Sequence, residues 1–282
     1  MKEHHVKVFL TGGSGYIGRA TIDALIARGH QVDALARTGS AAEAVRRHGA
    51  EPVSGALTDP GVLRHAAAAA DAVIHLAQAS TAQEDLAAAL AMMDGVGSGV
   101  YVHTGGTWVY GDTNGIVDET APWNPPPIVA WRKQVEDAVL ERGQHAVIVQ
   151  PGLVYGGENR LIDYFFTQPG RETGAVPYIG DGTNNWALVH VDDIATLYAA
   201  ALDARAGTVY LGVGGVGPTA REVAEVLGAG STTSITLEQA GEQMGPIADA
   251  FALDQRFSSA RAHNDLGWKP LHSDPLAVLA GC

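Results

Sequence analysis

The sequence predicts a doubly wound α/β fold, a parallel sheet with helices on both faces, followed by a small C-terminal lobe. Three observations carry that prediction. Short apolar runs alternate with stretches of helical periodicity over the first 150 residues, the first run breaks at a glycine cluster, and the regular alternation fades beyond Pro151. Parallel strands require crossovers, and an unbroken apolar run such as AVIHLA at 72–77 fits a strand buried on both faces.

The elements follow in order. Residues 6–10 form the first apolar run, and 16–28 carry apolar side chains at helical spacing before Gly29 ends the helix. A strand at 31–36, a helix at 41–48, a strand at 51–54, a helix at 59–69 and a strand at 72–77 continue at βαβ spacing. The alanine run at 66–70 is simply good helix former. The Ala/Leu/Met-rich segment 83–93 predicts a helix, 99–104 a fifth strand, 128–142 a helix ending at Gly143, and 146–150 a sixth strand. Beyond them, mixed loops and the segment 184–190 are expected to build the far wall of a cleft.

Composition bounds the function. Of 282 residues, 46% are hydrophobic and 17% charged, so one large domain or two small ones can bury a core. Lys plus Arg number 18 against 31 Asp plus Glu, a net charge of −13, and no basic run is present. Nucleic acid and anionic membrane surfaces are therefore not expected as partners. No apolar stretch reaches the roughly 18 to 20 residues of a membrane span, and the opening MKEHHVKVFLTGG has no secretory signal, so a cytoplasmic protein is expected. The one cysteine, Cys282, permits no intrachain disulfide or cysteine-based metal site. His4 and His5 precede the first strand, and His75, His103 and His190 fall on separate strands without metal-binding spacing, so no metal is expected. Asp192 and Asp193 read as acids at a helix N-terminus.

The 35 glycines are in excess, and the first cluster has chemical meaning. Thr11-Gly12-Gly13-Ser14-Gly15-Tyr16-Ile17-Gly18 stands between a strand and a helix. In that setting Gly12 permits the tight turn, Gly15 lets a pyrophosphate approach the backbone, and Gly18 lets the helix pack against the sheet. Dinucleotide binding is the expectation, by a domain spanning 1–155. Residues 156–282 then form mainly a substrate lobe, with 186–211 returning to the sheet.

The second strand ends Leu35-Ala36-Arg37-Thr38. An NAD site usually offers an acid there to the ribose 2′-hydroxyl, whereas an arginine accommodates a 2′-phosphate. Asp33 lies within the strand, and alternation turns it away. Arg37, with Thr38 and Ser40 as further donors, points to NADP(H). Arg37 as a solvated surface residue is the alternative.

Five motifs together resemble the extended and atypical short-chain dehydrogenase/reductases, the NAD-dependent epimerase/dehydratase family: TGGSGYIG at 11–18, HLA at 75–77, WVYGD at 108–112, PGLVYG at 151–156 and VHVDDIATLY at 189–198. The resemblance implies a Rossmann fold with strand order 3-2-1-4-5-6-7 and a small lobe that receives the substrate. It implies that Leu57 lies near the adenine and that His75, Leu76 and Ala77 line the cofactor. Thr11, Tyr16, Ile17, Pro151 and Val154, within the shared motifs, are expected at the cofactor as well. Family members often dimerise through the helices at 83–93 and 128–142, leaving monomer or homodimer open.

The same resemblance marks departures. The family's Tyr-x-x-x-Lys pair would align Lys133 with its lysine, but Val129 stands in the tyrosine's place, and Gly106 stands where the serine is expected. Valine cannot relay a proton. The acid pair of sugar dehydratases is replaced by Thr107 and Trp108, and the chain lacks the longer segment of nucleotide-sugar enzymes.

Donors on or after the fifth strand could replace the missing hydroxyls: Tyr110, Thr104, Thr107 or His103. Tyr110 could instead be a packed structural residue, and the threonines could bond their own loop. Lys133 could bind the nicotinamide ribose or pair with Glu136 or Asp137 on its helix. Trp108, Tyr155, Asn185 and Trp186 are candidates for the substrate wall. The expected function is an NADP(H)-dependent oxidoreductase acting on a small carbonyl or alcohol metabolite. A cofactor-bound epimerase, isomerase or cyclase without net redox change, or a silent NADP-sensing protein, are the alternatives.

Overall fold

A computed structural model describes residues 5–142, 144–158 and 160–281; Gly143, where a helix end is expected, His4 and Cys282 lie outside them. Seven strands, β1 (Lys7–Thr11), β2 (Gln31–Ala36), β3 (Glu51–Ser54), β4 (Ala72–His75), β5 (Val100–Thr104), β6 (Ala146–Pro151) and β7 (Thr208–Gly212), form one parallel sheet. Their order is 3-2-1-4-5-6-7.

Side-chain alternation sorts the core into two layers. Val8 and Leu10 of β1 face α1 (Tyr16–Ala27) and join Ile22 and Leu25 in one cluster. Phe9 points the other way, into a cluster with Leu63 of α3 (Pro60–Ala68) and Met92 of α4 (Ala82–Val96). Thr38 caps α2 (Gly39–Arg47) by accepting the Ala41 amide at 3.1 Å. That cap starts the helix two residues ahead of the expected 41.

The expected helix at 128–142 is divided. Pro127–Val129 is a 3₁₀ turn and α5 is Arg132–Glu141. The Val129, Ala130 and Lys133 amides each bond the carbonyl three residues back, so this stretch stays in tight turns and regular helix begins only at Arg132. Of 186–211, residues 208–211 lie in the sheet, as part of β7 beside β6. Leu188–His190 instead pairs with Leu153–Tyr155, and α6 (Val191–Ala200) contributes Ile194 and Leu197 to the α1 layer.

The C-terminal lobe has its own core, with Phe166, Trp186 and Phe251 packed ring to ring and Val176–Ile179 paired to Thr232–Ile235. Among the described residues no helix is long and apolar enough to cross a membrane.

Candidate active site

The glycine turn is sterically demanding. Gly12 has φ +77°, and a Cβ there would come within 2.8 Å of the Ala77 amide nitrogen. A Cβ on Gly18 would overlap the Gly12 carbonyl oxygen, so α1 can start this close to β1 only with glycine. Gly15 precedes α1 and supplies no side-chain cap, which leaves the first-turn amides for an anion. The cradle therefore fits a dinucleotide pyrophosphate. Thr11 lies beneath it, fully buried; its hydroxyl is 2.6 Å from His75 Nδ1 and ties β1 to β4 rather than facing the cleft. Burial holds the His75 imidazole neutral by lowering its pKa.

Two cavities run along the C-terminal ends of the strands. The first, about 590 Å³, is lined by Ser14, Arg37, Thr38, Ser40, Leu57 and Ala77. Among the described residues the Arg37 guanidinium has no hydrogen bond or ion pair, while Asp33 is held by Lys7 at 2.8 Å. The Thr38 and Ser40 hydroxyls lie 3.0 Å apart beside it.

The second cavity, about 530 Å³, adjoins the first at Gln78, which lines both. Tyr16, Ile17 and Leu76 form one side, and Pro151 and Val154 another. Thr104, Gly106, Thr107 and Trp108 come from the end of β5 and the turn after it. Val129 also lines this space, an apolar surface where a proton relay would be expected. The Thr104 hydroxyl accepts from Tyr198 at 3.0 Å, whereas the Thr107 hydroxyl has no partner among the described residues. Gln255 Nε2 holds the loop by donating to the Thr107 and Gly111 carbonyls, each at 2.9 Å.

Several expected site residues lie elsewhere. Tyr110 is buried between Trp123 and Phe257 and donates to Gln150 Oε1 at 2.8 Å; burial raises its pKa far above the ordinary phenol. Lys133 points outward and pairs with Asp137 at 2.7 Å. Tyr155 is buried and donates to the His272 carbonyl. Trp186 sits in the lobe core and donates to the Phe251 carbonyl, while Asn185 bonds the Gly217 carbonyl and Arg256. These are packing and loop-fixing positions, so of the expected substrate wall only Trp108 faces the cleft.

Asp193 lies in the first turn of α6, as expected, and has a second role. It is buried and accepts the Leu271 and His272 amides at 2.9 and 3.0 Å, while His190 caps α6 by accepting the Asp192 amide. The donor atoms of His190, Asp192 and His272 lie within 4.8 Å of one another, the one such grouping among the described residues. The two rings are stacked 3.6 Å apart at 18°, so their in-plane lone pairs run nearly parallel rather than converging on a metal.

In place of Lys133, the neighbouring Arg132 occupies the cleft. Its Nη1 donates to the Thr104 carbonyl and its Nη2 to Gln78 Oε1, both at 3.1 Å, and its guanidinium lies 4.8 Å from the Trp131 ring centre. Behind it is Glu136, whose Oε2 accepts from Gln150 Nε2 at 2.8 Å while Oε1 has no partner among the described residues. Burial pushes this carboxyl up to about 7. A signal for both was present in the sequence. Arg132, Val135, Glu136 and Val139 fall on one helical face, the face marked by the two valines, and Lys133 with Asp137 falls on another.

The NAD dependent epimerase/dehydratase family model matches residues 8–211. An uncharacterized protein of Schizosaccharomyces pombe is 29% identical, covering 98% of each chain. A 2-alkyl-3-oxoalkanoate reductase of Stenotrophomonas maltophilia is 27% identical over 71% of this chain and 66% of its own. The crystal structure of a dTDP-glucose 4,6-dehydratase from Streptomyces venezuelae, with NAD and TYD bound, superposes with TM-score 0.79 at 23% identity, covering 98% of this chain and 95% of the other.

Proposed function

Since this chain belongs to the NAD dependent epimerase/dehydratase family, we propose that it is an NADP(H)-dependent oxidoreductase acting on a small carbonyl or alcohol. The observation that carries the reading is Arg37, without a partner among the described residues, with Thr38 and Ser40 in a cavity that Ser14 of the glycine turn also lines. A guanidinium and two hydroxyls suit a 2′-phosphate. Relatives named as reductases support redox chemistry.

Gly12, Gly15 and Gly18 with the α1 amides would hold the pyrophosphate, Leu57 the adenine side, and Ile17, Leu76, Ala77, Pro151 and Val154 the remainder. When bound, the dinucleotide supplies or accepts a hydride. Thr107 donates a hydrogen bond to the reacting oxygen as its charge changes, and Thr104 is held beside it by Tyr198. Neither threonine titrates near neutrality, so the proton that completes an alcohol comes from water.

Titration with NADPH and NADH tests the cofactor assignment. NADPH should bind at least tenfold more tightly, and Arg37→Ala should remove that preference while leaving NADH binding unchanged; equal affinities for the wild type would overturn it. Val129 in the cleft favours a second reading, isomerisation, epimerisation or cyclisation without net redox change. Deuterium transferred from labelled NADPH into a released product supports the first reading, and its absence with turnover supports the second.

A further inference from the structure

Arg132 is the only charged side chain lining the second cavity among the described residues. Its surroundings are apolar: Ile128, Val129, Trp131, Leu153, Leu161 and Ile247 form much of the wall. Its two fixed partners, the Thr104 carbonyl and Gln78, are both uncharged, and it makes no ion pair with a carboxylate among the described residues. The closest acid on its own helix face, Glu136, is bonded to Gln150 and holds its proton up to about 7, so it neutralises the guanidinium poorly. A guanidinium has five N–H donors, and two are used. The half-buried guanidinium, with Glu136 and Asp85 near it but neither paired to it, keeps donors unused beside an apolar wall, where an anion brought by a ligand would meet them.

We propose that Arg132 binds the carboxylate of the substrate, and that the substrate is an oxo or hydroxy acid with an apolar tail. The spacing within that acid follows from position. Arg132 is bonded to the carbonyl of Thr104, at the start of the segment that carries Thr107 into the same cavity wall, so carboxylate and reacting carbonyl are placed close together on one acid. A planar carboxylate matches two parallel guanidinium donors. A sugar diphosphate, with two phosphates and a polar ring, would meet one cation and an apolar wall.

This inference rests on the oxidoreductase reading for its chemistry. In the reducing direction the carbonyl carbon gains a hydride from NADPH, the oxygen gains a proton from water, and the carboxylate is unchanged.

Calorimetric titration of the NADP⁺-loaded protein with octanoate and with octan-2-one separates charge from shape. Octanoate should bind at least tenfold more tightly. Arg132→Gln should abolish that advantage while changing octan-2-one affinity less than twofold, and Arg132→Lys should restore part of it. Equal affinities for the two probes in the wild type, or equal loss of both in Arg132→Gln, would overturn the proposal. NADPH oxidation with 3-oxooctanoate and with its methyl ester completes the test, the acid being favoured at least tenfold in kcat/KM. Octanoate selectivity without hydride transfer to the acid would leave the carboxylate site standing and refute the oxidoreductase reading instead.

Discussion

Glu136 keeps its proton to about 7 in the fold, while in the unfolded chain it ionises near 4.5. Between those values the unfolded state binds fewer protons, so this residue makes stability fall as pH rises from about 4.5 to about 7 and then level off. The shift corresponds to roughly 3 kcal/mol. Glu136→Gln should remove that slope, so urea unfolding at pH 5 and pH 8 should show the variant gaining on the wild type at the higher pH. An unchanged difference between the two pH values would contradict the burial argument. Thr107→Ala should lower kcat by about 10²-fold with cofactor affinity retained, as loss of one donor to a developing oxyanion does; stopped-flow hydride transfer measures it. Arg132 and Lys133 show how one position reverses a role. Both are basic and adjacent, but α5 starts at Arg132 and its phase turns 132 inward and 133 to solvent. The family's Tyr-x-x-x-Lys spacing selects the lysine; the valines at 135 and 139 select the arginine.

Helix α6 is an anchor as well as a layer of the core. Asp193 in its first turn accepts two amides from 271–272, and Trp268 donates to its backbone carbonyl. Asp193→Asn keeps one acceptor and should cost about 1.5–3 kcal/mol, seen as a lower urea midpoint and faster proteolysis after residue 266. Most elements were legible because strand and helix periods differ: 31–36 and 51–54 coincide with β2 and β3. The helix at 128–142 was not, because apolar spacing continues across a 3₁₀ turn that bonds three rather than four residues back. Asp193 was legible as a first-turn acid, but its anchoring role was not, because its partners lie 78 and 79 residues away in the sequence.

The second cavity draws its lining from both parts of the fold: Ile17, Leu76 and Thr104 belong to the sheet side, and Leu161 and Ile247 to the lobe. A cofactor bound there should stabilise both together. At a hundredfold excess over Kd, NADPH adds about 2.7 kcal/mol. That should raise Tm by roughly 4–6 °C, with slowed amide exchange in β1, α1 and the lobe alike. Protection confined to the sheet would show that the lobe does not close on the ligand. The doubly wound sheet and its strand order could be read from the chain because strand and helix periods depend on neighbours a few residues apart and on backbone sterics that no distant group alters. Which side chains face the cleft could not. Tyr110, Tyr155 and Trp186 have the chemistry of site residues but turn into cores, and Arg132 turns into the cavity, because orientation is settled by helix phase and by partners brought together only when distant segments pack.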